Sequence, residues 1–201
     1  GTQILTGTNT YAGVTTISAG TLQIGDGGTT GTLGTGAVTD NASLVFNRSN
    51  SLTVGNVISG TGTLSQSGTG TTILTAANSY SGATAINAGT LQIGNGSNIG
   101  TLGTSGSVHS AVTVAANANL DFYRNDASFT IANPISGEGA VNFRGTSVSS
   151  QSSYYLTGNN SNLSGSINVT SSRIGITASN QVGTAAITIN DGASLYTNGS
   201  F

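Results

Sequence analysis

Residues 3–34 read QILTGTNTYAGVTTISAGTLQIGDGGTTGTLG, and residues 72–103 read TILTAANSYSGATAINAGTLQIGNGSNIGTLG, so one long motif occurs twice, 69 positions apart. The two copies are identical at 20 of 32 positions. A block of this size that recurs at a nearly fixed spacing is typical of solenoids, in which each unit buries its apolar face against the next. The repetition therefore favours stacked coils over a closed sandwich.

A third and more diverged copy begins at Leu156, where LTGNNSNLSGSINVTSSRIGI aligns with the motif after one inserted residue. The intervening segments are related too, since residues 47–62 (NRSNSLTVGNVISGTG) resemble residues 123–139 (YRNDASFTIANPISGEG). We predict one continuous β-solenoid over residues 1–201, with internal repeats at 3–71, 72–155 and 156–201, the third incomplete. A period of 69 to about 77 residues predicts that each repeat contains several coils. We expect a whole number of coils in each repeat, because this keeps the strands in register.

Apolar residues spaced by two, such as Leu22 with Ile24 and Leu120 with Phe122, indicate short strands with one buried face. The chain contains 31 Gly and many β-branched and polar residues, which argues against helix. We predict an all-β, right-handed parallel β-helix of about nine coils, on the order of 40 Å long.

Three residues give local checks on this fold. Gly20 and Gly89 each stand between two short apolar pairs, which predicts a corner that needs the freedom of glycine. Pro134 cannot donate a backbone hydrogen bond, so it is expected at a corner or strand end.

Charged residues make up only 5% of the chain, with 4 cations, 6 anions and a net charge of -2. Four dispersed arginines form no patch for a polyanion, so we expect no nucleic-acid partner. No apolar run approaches the ~20 residues needed to cross a bilayer, so we expect this segment to make no membrane contact. The absence of cysteine excludes disulfides and thiolate metal sites, and is compatible with export.

The segments LTGTNTYAGVTTISAGTLQIG (Leu5–Gly25) and LTAANSYSGATAINAGTLQIG (Leu74–Gly94) closely resemble the passenger-associated transport repeat of bacterial autotransporters. The third copy departs from the pattern, because Asn162 replaces the motif tyrosine and residues 171–173 read SSR instead of AGT. The resemblance implies a β-helical passenger, outside or on the surface of a Gram-negative cell, with an outer-membrane barrel elsewhere in the full protein. It also implies an adhesive or self-associating role.

Few side chains suggest chemistry. His109 is the only histidine, so no paired-histidine metal site can form within one chain. Asp121 and Asp126 could assist glycoside cleavage or bind calcium, but Arg124 lies between them, which favours a turn with local charge compensation. Arg48 is equivalent to Arg124, so we expect a repeated packing or corner role. We predict no catalytic, cofactor-binding or metal-binding residue and no cofactor.

The glycine-rich segments GDGGTTG (25–31) and GNGSNIG (94–100) resemble calcium-binding turns, yet Asp26 of the first becomes Asn95 in the second. This change argues against calcium. Two sets of repeated residues are expected to form ladders between coils: an aromatic ladder and an amide ladder. Their members are Tyr11 and Tyr80 for the first, and Asn9, Asn78 and Asn160 for the second.

These observations favour a structural or adhesive region that acts as a surface-displayed stalk or self-associating adhesin and is not an enzyme. Its expected partners are further copies of itself, or a glycan or protein on a host or other surface. One alternative is a polysaccharide-active β-helix that uses Asp121, Asp126 and Tyr123. The other is a subunit of a homopolymeric extracellular filament, because exposed strand edges of coils can pair between molecules.

Overall fold

The computed structural model describes residues 1–105, 108–146 and 152–197, which form a parallel β-solenoid of about nine coils. Strands are numbered in chain order and lie on three faces. The first face stacks β1 (Thr2–Leu5), β3 (Thr21–Ile24), β5 (Ser43–Phe46), β8 (Thr63–Gln66), β10 (Thr84–Ile86), β14 (Val112–Val114) and β17 (Ile135–Gly137). The second face stacks β6 (Leu52–Val54), β9 (Thr71–Leu74), β11 (Thr90–Ile93), β15 (Asn119–Tyr123), β18 (Ala140–Arg144), β20 (Ser166–Thr170) and β22 (Ala186–Ile189).

The third face holds two shorter sheets. The first contains β2 (Thr15–Ile17), β4 (Val38–Asp40) and β7 (Ile58–Ser59), and the second contains β16 (Phe129–Ile131), β19 (Ser153–Leu156), β21 (Arg173–Ile176) and β23 (Ser194–Thr197). Non-strand residues continue the stack between them: Ser79 N donates to Ile58 O, and Asn133 Nδ2 donates to Gly103 O. Two elements depart from the parallel pattern, the antiparallel pair β12 (Thr104–Ser105) and β13 (Val108–His109) and one turn of 3₁₀ helix at Ser179–Gln181.

The core is a column of apolar side chains inside the coils. Leu22 stacks on Leu44 and Leu44 on Leu64, because these residues are in register on neighbouring strands and point inward. Alternate residues of the same strands point outward, as the period of two predicts. Registered partners are 19 positions apart for Thr2 and Thr21 and 29 apart for Leu91 and Leu120, so coils differ in loop length but not in core spacing. The predicted all-β solenoid is confirmed, and its right-handed winding stays a prediction.

The prediction that each repeat spans a whole number of coils is wrong. β1 lies on the first face, its equivalent β9 on the second, and the corresponding β19 of the third copy on the third. Each repeat therefore winds through about three and one third coils. The physical reason is that all three faces present the same inward apolar rows, so a motif strand can stack on any of them. The repeat boundaries at 3–71, 72–155 and 156–201 stay predictions.

The local checks at the corners are confirmed. Gly20 and Gly89 have φ of 73° and 59° and connect β2 to β3 and β10 to β11. A Cβ at Gly89 would lie 2.3 Å from Gly70 O of the neighbouring coil, so only glycine fits there. Pro134 immediately precedes β17 and offers its carbonyl oxygen to Val112 N.

Candidate functional site

Two glycine loops project from the coils directly after the identical TLQI strands β3 and β11. Three glycines of each loop have positive φ: Gly25, Gly27 and Gly31 in residues 25–31, and Gly94, Gly96 and Gly100 in residues 94–100. A Cβ at Gly31 would lie 2.4 Å from Leu5 O, which explains why this position must be glycine. Because the repeat advances by one face, the loops project from different sides of the rod.

An arginine from the following coil holds each loop. Arg48 donates from Nη1 to Gly31 O at 2.6 Å and from Nη2 to Thr29 O, while its Nε bonds Asn50 Oδ1 at 3.0 Å. The planar guanidinium can make these bonds together because its donors form a fixed fork. We call this arrangement the arginine clasp.

The second repeat builds the same clasp with Arg124. Its Nη1 donates to Gly100 O, which is equivalent to Gly31 O, and its Nε pairs with Asp126 Oδ2 at 2.6 Å. Asp126 stands where Asn50 stands in the first clasp. The predicted repeated corner role of Arg48 and Arg124 is confirmed, and the loop carbonyl oxygens that could have met a cation are instead bound by guanidinium groups.

Buried asparagines join neighbouring coils, but not as the predicted amide ladder. Asn78 Oδ1 accepts from Ile58 N at 2.9 Å in the coil before, and its Nδ2 donates to Thr101 O at 2.9 Å in the coil after. Asn160 does the same between Ile135 N and Gln181 O. The predicted stacking of these amides is wrong because equivalent residues lie several coils apart and on different faces.

Stacked amides do occur elsewhere. Asn168 Nδ2 donates to Asn142 Oδ1 at 2.9 Å on the outer side of the second face, where the two residues are in register.

A second kind of bridge, which the sequence did not predict, is made by Asn56 and Asn133. Asn56 Nδ2 donates to Gly34 O and Gly36 O, and Asn133 Nδ2 to Gly103 O and Ser110 O. Their matching place before the related VISG and PISG segments was the available signal.

The motif tyrosines pack on glycine and not on each other. Tyr80 is fully buried and its hydroxyl lies 2.8 Å from Thr84 Oγ1, while a Cβ at Gly103 would meet its ring at 2.6 Å. Tyr11 makes the matching contact with Thr15 and is 40% exposed. The predicted aromatic ladder of Tyr11 and Tyr80 is wrong, although the structural role of the pair is supported.

The aromatic stack of the molecule lies inside the later coils. Phe122 and Phe143 are parallel with centroids 5.3 Å apart, and Tyr154 lies 5.2 Å from Phe143. The Tyr154 hydroxyl accepts from Arg124 N at 2.9 Å and donates to Arg144 O at 2.7 Å. Burial raises the pKa of Tyr154, so this hydroxyl stays protonated and can donate.

Neither carboxylate of the Asp121 and Asp126 pair is free for chemistry. Asp126 belongs to the second clasp, and Asp121 is bound by Arg144, with Nε 3.0 Å from Oδ1. Arg144 also lies over the ring of Tyr123 at 4.5 Å. Each acid thus has its own arginine.

His109 lies beside a small cavity of about 80 Å³ that is also lined by Leu102, Phe129 and Asn133. An equivalent but open crevice of about 330 Å³ lies by the first glycine loop, where Leu52 replaces Phe129. Phe129 and the His109 segment fill the second crevice, which gives His109 a packing role. No group of three or more His, Asp or Glu side chains arranged for a metal occurs within residues 1–105, 108–146 and 152–197.

Comparisons with known proteins match the motif that builds these coils. The family described as Passenger-associated-transport-repeat matches residues 1–24 and 64–93. This chain carries the transport repeats of an autotransporter passenger. The Adhesin BmaC autotransporter of Brucella suis biovar 1 (strain 1330) is 52% identical over 62 residues, which are 31% of this chain and 2% of that protein. The passenger region thus spans a small part of that relative's length.

A search of solved structures found no significant match to this passenger region. The similarity to an autotransporter adhesin implies a surface-exposed or secreted passenger of a Gram-negative bacterium. In the part of the chain that the structure describes, no helix has the length and apolar character needed to span a membrane.

Proposed function

We propose that this passenger region is an adhesive stalk, a rod that extends the passenger from the cell and adds contacts along its sides. The observation that carries the proposal is the stack of parallel strands, in which β1 to β17 bond coil to coil on the first face and β6 to β22 on the second. With ~4.8 Å between coils, the described residues give a rod on the order of 40 Å long. The similarity to an autotransporter named as an adhesin supports the adhesive part of the proposal.

We also propose that the region acts without enzymatic activity. The best candidate pair, Asp121 and Asp126, is held by Arg144 and Arg124. The repeated polar residues, such as Asn78 and Arg48, use their side chains to join coils. The polysaccharide-active alternative therefore has no supporting geometry at the residues that suggested it.

Deletion in living cells tests the adhesive stalk. Residues 1–201 are removed in frame from the full passenger, and bacterial attachment to a cultured epithelial monolayer is counted. We expect attachment to fall severalfold while an epitope tag at the end of the passenger is still displayed. An unrelated β-helical segment with the same number of coils is the matched control, and it should restore tag height but not full attachment. Unchanged attachment after the deletion would refute the proposal.

Self-association is a second candidate, favoured by the polar outer row of the second face. Asn142 and Asn168 are in register on neighbouring strands, are partly exposed and offer amide groups to another copy. Sedimentation over a wide concentration range tests this, with Asn168→Lys as the variant that should weaken the contact. A chain that stays monomeric at the highest concentration would contradict it.

A further inference from the structure

The third face ends in an ordered grid of outward side chains on β19, β21 and β23. Tyr155, Gly175 and Tyr196 are in register in one row, and Ser153, Arg173 and Ser194 form the row beside it. Together with Leu195, these residues line a groove of about 400 Å³. This volume is in the range of small-ligand sites.

Gly175 makes room for the Tyr155 ring. A Cβ at this position would lie 2.6 Å from Tyr155 Cδ1 and 2.8 Å from Cε1, so the Tyr155 ring lies over the glycine. Tyr155 and Tyr196 are 38% and 56% exposed. Both rings are thus partly open to solvent in this groove.

Arg173 supplies the charge in this groove. Arg48, Arg124 and Arg144 all bind backbone carbonyl or side-chain groups of the protein. Arg173 is exposed, and within the described residues its guanidinium has no hydrogen-bond or ion-pair partner. In a chain with four cations in total, the unpaired arginine therefore lies between two serines and next to two exposed tyrosines.

We propose that this groove binds an acidic glycan through a sugar carboxylate. The apolar face of a sugar ring packs on the exposed part of the Tyr155 or Tyr196 ring. The carboxylate receives two parallel N–H bonds from Arg173, the geometry that guanidinium groups favour. Ser194 lies beside Arg173 in register and can bond the sugar hydroxyl groups.

The proposal rests on the adhesive role proposed above and gives it a ligand class. A glycan fits the site better than an acidic peptide because the groove combines aromatic rings and hydroxyl groups with the arginine. The alternation of Tyr154 inside and Tyr155 outside, visible in the sequence, places one ring in the core and one in the groove.

Titration calorimetry with the purified 201-residue chain tests the site. The probes are alginate oligosaccharides as polyuronate, dextran oligosaccharides as neutral sugar, and poly-glutamate as acidic polypeptide. We expect alginate to bind at least tenfold more tightly than either of the others. Arg173→Gln should weaken alginate binding about tenfold or more, because it removes a charge-assisted pair of hydrogen bonds.

Gly175→Val displaces the Tyr155 ring that lies over the glycine and should also weaken binding, while circular dichroism checks that the coils remain folded. Tyr123→Ala, which removes a tyrosine on the second face, is the matched control and should leave alginate affinity unchanged. The proposal is overturned if alginate does not bind, if poly-glutamate binds equally well, or if Tyr123→Ala weakens binding as much as Arg173→Gln. None of these binding results decides whether the region is an adhesive stalk, because the deletion experiment tests that proposal separately by cell attachment.

Discussion

Asp40 shows how strongly a single position can depend on the coil around it. Asp40 is 1% exposed, Oδ1 accepts from Ala42 N at 3.0 Å, and Oδ2 has no hydrogen-bond partner among the residues that the structure describes. A Cβ at Gly62 would lie 2.3 Å from Oδ1, so the next coil closes over the carboxylate. Burial raises the pKa of Asp40, and the bond from Ala42 opposes this only in part.

This environment predicts that Asp40 makes the protein less stable as pH rises. Since the folded pKa is raised above the unfolded one, the contribution of Asp40 is most favourable below its ordinary pKa of about 3.9 and is lost as pH rises through the folded value. Asp40→Asn should therefore unfold at higher urea than wild type at pH 7, and the difference should shrink toward pH 3.5. Tyr80, the other titratable group near Asp40, stays neutral throughout because burial raises its pKa.

The control for this pH series is Asp26→Asn. Asp26 is exposed in the first glycine loop, and the second repeat already carries Asn95 there. The Asp26→Asn variant should have the same urea midpoint as wild type at both pH values. Equal shifts for Asp26→Asn and Asp40→Asn would show that net charge, not burial, causes the effect.

Asn78 and Asn9 form a second residue-scale comparison. Both donate to a threonine carbonyl of the next coil, but only Asn78 also accepts a bond from a preceding coil, at Ile58 N. Asn78→Ala leaves that buried N–H unpaired and should lower the free energy of unfolding by about 2 kcal/mol. Asn9→Ala should cost clearly less, which urea titration of both variants can measure. Similar losses for the two variants would contradict the bridging role.

At the scale of elements, the arginine clasp fixes loops that contain little apolar surface of their own. Arg48→Ala removes the bonds to Gly31 O and Thr29 O, and should lower the free energy of unfolding by about 1–2 kcal/mol. Faster hydrogen exchange confined to residues 25–34 is the expected signature. Arg48→Lys should rescue little, because an ammonium group lacks the fork of donors. Arg173→Ala is the stability control, since Arg173 makes no such bonds within the described residues.

The sequence was sufficient to predict strands and corners whose residues alternate in polarity or recur between repeats. It was not sufficient to predict hydrogen-bond partners that depend on how the coils are stacked. The strand pairs around Gly20 and Gly89, the strand end at Pro134 and the shared role of Arg48 and Arg124 were predictable from local chemistry. The partners of Asn78 were not, because they depend on which coil lies above and below. For the same reason the outward Tyr155 and Tyr196 could be placed on one side of a strand but not beside Arg173.

At the scale of the whole molecule, each repeat is displaced by one face from the repeat before it. Equivalent residues of successive repeats therefore do not line up to form one binding surface. The glycine loops 25–31 and 94–100 leave the rod on different sides, so a long ligand along one face cannot meet both. The motif thus serves coil construction, and surface recognition falls to residues that do not repeat. The groove at Tyr155 follows this rule, since the third copy is the one that departs most from the motif.

A stack of coils is held by nearest-neighbour contacts, so damage in one coil should spread only to adjacent coils. Phe143 is fully buried between Phe122 and Tyr154, and Phe143→Ala should lower the free energy of unfolding by about 3–5 kcal/mol. Hydrogen exchange followed by mass spectrometry should show loss of protection in β15, β18 and β20, while β1 to β8 keep theirs. Tyr123→Ala removes an aromatic ring from the outer side of the neighbouring strand β15, where it contacts Arg144, and should cost much less than Phe143→Ala. Uniform loss of protection from β1 to β23 would instead mean that the solenoid unfolds as one cooperative unit, in which no coil has a stability of its own.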